Sequence, residues 1–235
     1  MSRMIDEWRW EVRSPVAEDG DAAEFNTAPD WIEEIQWLRG FVLYDNGRRP
    51  QFRTAQGNFA DRDPLDLLAY HVLGRFGDRL VGCIRFVPLA VPVPCLTEQV
   101  LGRQRFELML RRLDSSRNTT ADVGRWVVHP DFRGHRAALS LVGGCWSYLL
   151  TLGFQTAIAT VGTRAGQNSI LQRAGLARVP EVPPHLSVAF DDELCAMYAV
   201  LSNPASNFAG LVRKMERRLV AVPNVAFAGW RKESA

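Results

Sequence analysis

The stretch Asp122-Val-Gly-Arg-Trp-Val-Val-His-Pro-Asp-Phe-Arg-Gly-His-Arg-Ala-Ala-Leu139 decides the fold. Its first half reads as a strand that ends at Pro130, because proline has no N–H to give a sheet ladder. A short basic loop with one glycine follows, then the apolar run to Phe154, which reads as a long helix. Strand, small loop and helix in that order place free backbone N–H groups at a helix start. Arg133, His135 and Arg136 add positive charge there, so the junction suits a phosphate. The alternative is a capped strand–helix turn with solvated arginines.

Outward from this junction, Thr156–Gly162 reads as a strand, and the helix before it should be a right-handed crossover between parallel neighbours. Ala165–Ala174 reads as a helix stopped by Gly175. Upstream, Pro29-Asp30 opens a helix whose Trp31, Ile35 and Leu38 share a face, with Glu33 and Glu34 near its start. AYHVLGRF, a Gly77-Asp78 turn and RLVGCIRFVPL read as a hairpin. Thr97–Leu113 reads as one amphipathic helix capped by Thr97. Leu186–Phe190 and Cys195–Leu201 read as strands, and Ala205–Val220 as a last helix with a solvated basic face. The acidic, polar residues 1–28 read as an N-terminal extension or an added strand. Residues 29–235 read as a single domain. The expectation is an α/β fold with a central mixed, mostly antiparallel sheet flanked by helices.

The chain has 235 residues, 28 Lys+Arg against 26 Asp+Glu, and 47% hydrophobic residues. That balance excludes a disordered chain and a bulk-basic nucleic-acid binder. Cys83, Cys95, Cys145 and Cys195 have neither C-x-x-C nor Cys/His metal spacing, so buried free thiols in a reducing compartment are expected. No apolar run has signal-peptide or membrane-span character, which makes the cytoplasm the expected location and a membrane span an unexpected feature.

Arg85 lies in an otherwise apolar strand between Ile84 and Phe86 and needs an acidic partner nearby. Asp63 and Asp66, three apart before the hairpin, are the candidates.

The junction resembles the GNAT acyltransferases, whose pattern is V-x-P-x-x-R-G-x-G-x-G/A. Val128, Pro130, Arg133, Gly134 and Ala138 fit it, while Arg136 stands where that family usually has glycine. Asn168 to Gly175 resembles a second signature, with Leu171 where many members carry a tyrosine acid. A more specific resemblance covers residues 35 to 180. It is to the acyl-homoserine-lactone synthases and bacterial N-acyl amino acid synthases, which share a variant of that fold. Their early-helix arginine is matched by Arg39 and their D-x-x-D by Asp63 and Asp66. Their hairpin arginine is matched by Arg85 in Val81-Gly-Cys-Ile-Arg85, and their E-x-x-R by Asp122 and Arg125. Thr163-Arg164 and Leu171 to Gly175 also look like the family pattern. The departures are aspartate for glutamate at 122 and no tryptophan around Arg49 to Phe52.

The resemblance implies an N-acyltransferase. A fatty acyl group would move from an acyl-carrier-protein (4'-phosphopantetheine) or acyl-CoA thioester to a primary amine. No cofactor would be bound permanently. The acceptor would be a free amino acid first, S-adenosylmethionine second, a lysine or ornithine side chain of a peptide third. It implies Asp122 as base and Arg125 as its orienting partner. Donor binding would fall to Trp126, Val127 and Val128 and to Arg133, Gly134, His135, Arg136, Ala137 and Ala138. Arg39, Asp63, Asp66 and Arg85 would form the acceptor side, or a structural ion-pair network. Arg111, Arg112, Arg117, Arg133 and Arg136 would suit an acidic carrier protein. The rival from another class is a binding module without turnover.

Overall fold

The computed structural model describes residues 8–16, 28–133 and 136–222. The chain forms two compact units. One comprises Met1–Arg85, Arg125–Leu141 and Arg218–Ala235, the other Phe86–Gly124 and Val142–Arg217.

In the first unit, β1 (Trp8–Arg13) pairs antiparallel with β2 (Tyr70–Phe76) and parallel with β9 (Leu219–Val222). The strand read as an addition within residues 1–28 is therefore real. Leu219–Val222 corrects the expected helix, which ends at Glu216 in α6 (Ser206–Glu216). β2 turns at Gly77-Asp78 into β3 (Arg79–Pro88), as the hairpin reading expects. The last part of β4 (Thr120–Val128) runs beside β3, and the His129 N–H donates to the Val81 carbonyl at 2.8 Å. α1 (Asp30–Tyr44) covers a core of Ile35, Leu38, Leu73, Leu80, Cys83 and Val127. Its apolar face follows from the helical spacing of Trp31, Ile35 and Leu38.

Gly40 of α1 meets the backbone of Ala60: a Cβ there would lie 2.3 Å from the Ala60 nitrogen. Alanine normally stabilises a helix interior by about 1 kcal/mol over glycine. Here the sign is reversed. Gly40→Ala should destabilise by about 1–3 kcal/mol, because backbone rather than a flexible side chain must yield. A urea midpoint equal to or above that of the unsubstituted protein would refute this contact.

In the second unit, β4 pairs parallel with β5 (Thr156–Gly162) from Thr120 opposite Thr156 to Val123 opposite Ala159. β5 pairs antiparallel with β8 (Asp192–Val200), which also carries β6 (Ala177–Arg178) and β7 (His185–Ser187). The helix of the expected crossover is α4 (Ala137–Thr151), the second half of which belongs to this unit. The single helix expected over Thr97–Leu113 is two, α2 (Leu96–Leu101) and α3 (Arg103–Arg112). Gly102 separates them at φ 75 and ψ 148, a conformation that side-chain-bearing residues avoid. Phe106, Met109 and Leu110 of α3 pack with Leu89, Cys95, Ile158 and Val179. Full burial of one such side chain contributes about 1.5–3 kcal/mol. α5 (Gln167–Ala174) ends at Gly175 in the left-handed conformation, as read.

Among the described residues, no helix is long and apolar enough to cross a membrane. All four cysteines are free and buried.

Candidate active site

In the first unit, the residues expected on the acceptor side form one ion-pair lattice. Arg39 and Gln36 lie three apart on α1, so both reach the same neighbour. Arg39 is fully buried and donates to Asp66 with both terminal nitrogens, at 2.7 Å to Oδ1 and 2.5 Å to Oδ2. Gln36 donates to the same Oδ2 at 3.3 Å. Arg39 also donates to the Asp61 carbonyl at 2.6 Å, and its Nε lies 3.0 Å from the Asp61 carboxylate.

Arg85 donates to Asp66 at 2.6 Å and to Asp63 at 2.7 Å. The acidic partner demanded by a strand arginine is thus present, twice over. Asp63 is held in place by local structure. Pro64 opens a 3-10 turn over Pro64–Leu68, and Asp63 caps it by accepting from the Leu65 N–H at 3.0 Å through Oδ1. Its Oδ2 then takes Arg85 and Arg125, the latter at 2.7 Å from the terminal nitrogen and 3.1 Å from Nε. Arg125 also lies 3.4 Å from Asp61. Arg125 sits at φ 52 within β4, a left-handed conformation that costs a non-glycine residue about 1 kcal/mol or more. The break in the extended run accompanies the aim of its guanidinium at Asp61 and Asp63.

Arg39, Arg85 and Arg125 balance Asp61, Asp63 and Asp66. Burial alone would raise the Asp66 carboxyl, but the hydrogen bonds and charge of Arg39, with Arg85, hold it well below the usual carboxylate range. Burial opposes and the two charges of Arg85 and Arg125 overcome it at Asp63, lowered to about 2. Asp61 is the member that the sequence reading missed. Its signal was the run Asp61-Arg-Asp63, which in an extended loop sends both carboxylates to one side.

His71 closes this lattice. It is fully buried, and its Nε2–H donates to the Asp66 carbonyl at 2.9 Å. Nδ1 has no hydrogen-bond partner among the described residues. Burial, first, lowers its pKa to about 4, and the Asp66 charge offsets this only in part. The unfolded chain therefore binds more protons than the folded one between about pH 6.5 and 4. Stability contributed by neutral His71 is full above 6.5 and is lost as pH falls through 4. The shift corresponds to about 3 kcal/mol. Urea midpoints between pH 7.5 and 4.5 should fall steeply in the parent protein and less in His71→Gln. Equal slopes would contradict this assignment.

In the second unit, Asp122 is buried on β4 opposite Ile158 of β5. The Thr97 hydroxyl donates to its Oδ1 at 2.5 Å. Thr97 is thus no helix cap. Cys95 occupies that position, its sulfur accepting from the Glu98 N–H at 3.4 Å. Thr97 thus holds the Asp122 carboxylate, while Asp63 and Asp61 hold the Arg125 guanidinium.

Burial, with the Asp122 charge second, pushes the Cys95 thiol well above its ordinary range. Burial likewise raises Cys83 to about 12 and raises Cys145 and Cys195. All four therefore stay as thiols at neutral pH, and none is an activated nucleophile.

Of the expected donor segment, Gly134 and His135 lie outside the described residues. Val127 and Val128 are buried in β4, and the Trp126 Nε1–H is a buried donor without a hydrogen-bond partner among the described residues. Arg133 and Arg136 are exposed. Arg136 adopts φ 58, so it takes the left-handed conformation that glycine would favour at its place in the pattern. Its carbonyl accepts from the Ser140 N–H at 3.0 Å, and Ala137 and Ala138 open α4. Of the basic residues expected to meet a carrier protein, Arg117 is committed to Glu98 and Glu107, and Arg112 pairs with Glu181.

Residues 41–143 match the Acetyltransferase (GNAT) domain family. The chain has a GNAT-like fold. Solved structures agree on the fold. A CoA-dependent acyl-homoserine lactone synthase, BjaI, has a TM-score of 0.64 at 16% identity, over 95% of this chain and 99% of that one. The lactone synthase LasI has 0.54 at 16% identity, over 83% and 89%. FeeM, an N-acyl amino acid synthase from uncultured soil microbes, has 0.54 at 12% identity, over 75% and 88%. No curated protein matches the chain. The GNAT match begins within α1 and ends within α4, so it takes in the aspartate loop, the hairpin, Asp122 and the donor segment.

Proposed function

We propose that the protein transfers a fatty acyl group from an acyl-CoA or acyl-carrier-protein thioester to the primary amine of an amino acid. The observation that carries this reading is the charge-balanced lattice of Arg39, Asp61, Asp63, Asp66, Arg85 and Arg125 in a GNAT domain. Those arginines and the aspartates at 63 and 66 carry the sequence's resemblance to the N-acyl amino acid and lactone synthases. The likeness of fold to BjaI, a CoA-dependent acyl-homoserine lactone synthase, and to FeeM, an N-acyl amino acid synthase, supports the same reaction class.

The chemistry follows from the residue types. An amine at pH 7 is mostly ammonium and must lose a proton to attack. Asp122 takes that proton, directly or through a hydroxyl or water. The neutral nitrogen adds to the thioester carbonyl, and backbone N–H groups near Trp126 to Val128 stabilise the oxyanion. The C–S bond then breaks, and the thiolate leaves with the second amine proton. The pantetheine arm is peptide-like and adds to a strand by main-chain hydrogen bonds. The unpartnered Trp126 Nε1–H offers a further donor to a carbonyl of that arm. Arg133 and Arg136 face the donor's phosphate. If a carrier protein brings the acyl group, these two and Arg111 remain for its acidic surface, since Arg112 and Arg117 have acidic partners of their own.

S-Adenosylmethionine is the second acceptor reading. The BjaI structure solved with SAM and isopentyl-CoA favours it, and the absence of tryptophan around Arg49 to Phe52 weighs against it. A cytoplasmic location fits the four free thiols and the thioester donor.

Lipid extracts of bacteria expressing the protein should contain new N-acyl amino acids by mass spectrometry, lost with Asp122→Asn. Acyl-homoserine lactones instead would establish the second reading. No new lipid would move the weight to a peptide acceptor or to a binding module without turnover.

A further inference from the structure

Resting on the reading of Asp122 as base, we propose that Thr97 is its positioning residue and the middle link of a hydroxyl chain Thr160–Thr97–Asp122. The direction of this chain is fixed by counting protons. A threonine hydroxyl has one proton to donate. Thr97 gives its own to Asp122 Oδ1 at 2.5 Å, since an ionised carboxylate can only accept. The 2.9 Å contact between the Thr97 and Thr160 hydroxyls must then run from Thr160 to Thr97.

The register explains why these three groups meet. Asp122 lies opposite Ile158 on the parallel pair, and Thr160 is two residues beyond Ile158, on the same face of β5. Thr97 comes from the first turn of α2 and is fully buried. The outer member, Thr160, is only half-buried, and it is the first residue of β5 past the last β4 pair at Ala159. A proton entering at Thr160 Oγ1 displaces that hydroxyl's proton to Thr97, and the Thr97 proton passes to Asp122. The net change is one proton lost by the amine and one gained by the carboxylate, with both hydroxyls restored. Nothing else in the α2 segment explains a fully buried threonine aimed at a carboxylate, since the cap of that helix is Cys95.

The test is the titration of the Asp122 carboxyl by NMR in protein carrying 13C-labelled aspartate, with Asp122→Asn to assign the signal. Thr97→Val keeps the shape and removes the hydroxyl. It should raise the midpoint by about 1 pH unit or more, because the charged form loses its donor. Thr97→Ser should restore it. Thr160→Val should move it in the same direction by less. That variant keeps the proposal testable if Thr97→Val does not fold.

The acid limb of thiol release from decanoyl-CoA with a mixture of common amino acids should shift with the carboxyl in each variant. A midpoint unchanged in Thr97→Val, or not restored by serine, would overturn the proposal. So would a rate profile that ignores the carboxyl. If the titration shifts as expected but no variant, nor the parent, releases thiol on amine addition, the acyltransfer reading falls and the hydroxyl chain stands.

Discussion

Asp66→Ala should destabilise the protein by about 3–5 kcal/mol, the largest stability effect expected of any single substitution in this site. Asp66 accepts from Arg39 and Arg85 at once, and both arginines are buried. Removing the carboxylate leaves two guanidinium groups facing each other with only Asp61 and Asp63 to share. The cost is therefore the uncompensated buried charge rather than the worth of the pair. Asp66→Asn should recover only part of the loss, because its oxygen still accepts while its amide N–H meets a guanidinium. Asp63→Ala should cost less, because Asp63 is partly exposed and water can replace it at Arg85 and Arg125. The check is urea denaturation at pH 7. With m of about 1–3 kcal/mol/M, the midpoint of Asp66→Ala should fall by more than about 1 M. A loss under about 1 kcal/mol would mean that the lattice does not hold this unit together.

The second large effect is on rate. Asp122→Asn should lower kcat for amine acylation by about 10²–10⁴-fold, the usual loss on removing a general base. The fold should survive, because the asparagine oxygen can accept the same Thr97 hydroxyl bond that Asp122 accepts now. Thermal midpoints within a few degrees of the parent would separate chemistry from stability. A kcat within about threefold of the parent would remove Asp122 from the mechanism.

Much of this is legible in the amino-acid sequence itself. An arginine between Ile84 and Phe86 cannot sit in an apolar strand alone, and the D-x-x-D resemblance pointed to Asp63 and Asp66 before the hairpin as its partners. The hairpin itself followed from two apolar runs around Gly77-Asp78. The strand–loop–helix at Asp122 to Leu139 was readable because proline and the change of period mark both of its boundaries.

What stayed hidden was set by long-range pairing or by one residue's backbone. The apolar pattern of Thr97–Leu113 continues across Gly102, and only the glycine's φ reveals the break between α2 and α3. Leu219–Val222 looked like the end of a basic helix because its strand partner, β1, lies at the other end of the chain. Thr97 looked like a cap because threonine is a good one, and its real partner is 25 residues away. Asp61 went unread because the family pattern names two aspartates where the lattice uses three.

In the proposed reaction a nitrogen nucleophile takes the acyl group from a thioester in this domain. The most direct measurement follows thiol release from decanoyl-CoA by the purified protein, with and without a mixture of common amino acids, and weighs the products by mass spectrometry. Thiol release should depend on the amines, be matched mole for mole by an N-decanoyl amino acid, and be lost in Asp122→Asn. Thiol release that ignores the amines, yielding only decanoic acid, would contradict the proposed reaction.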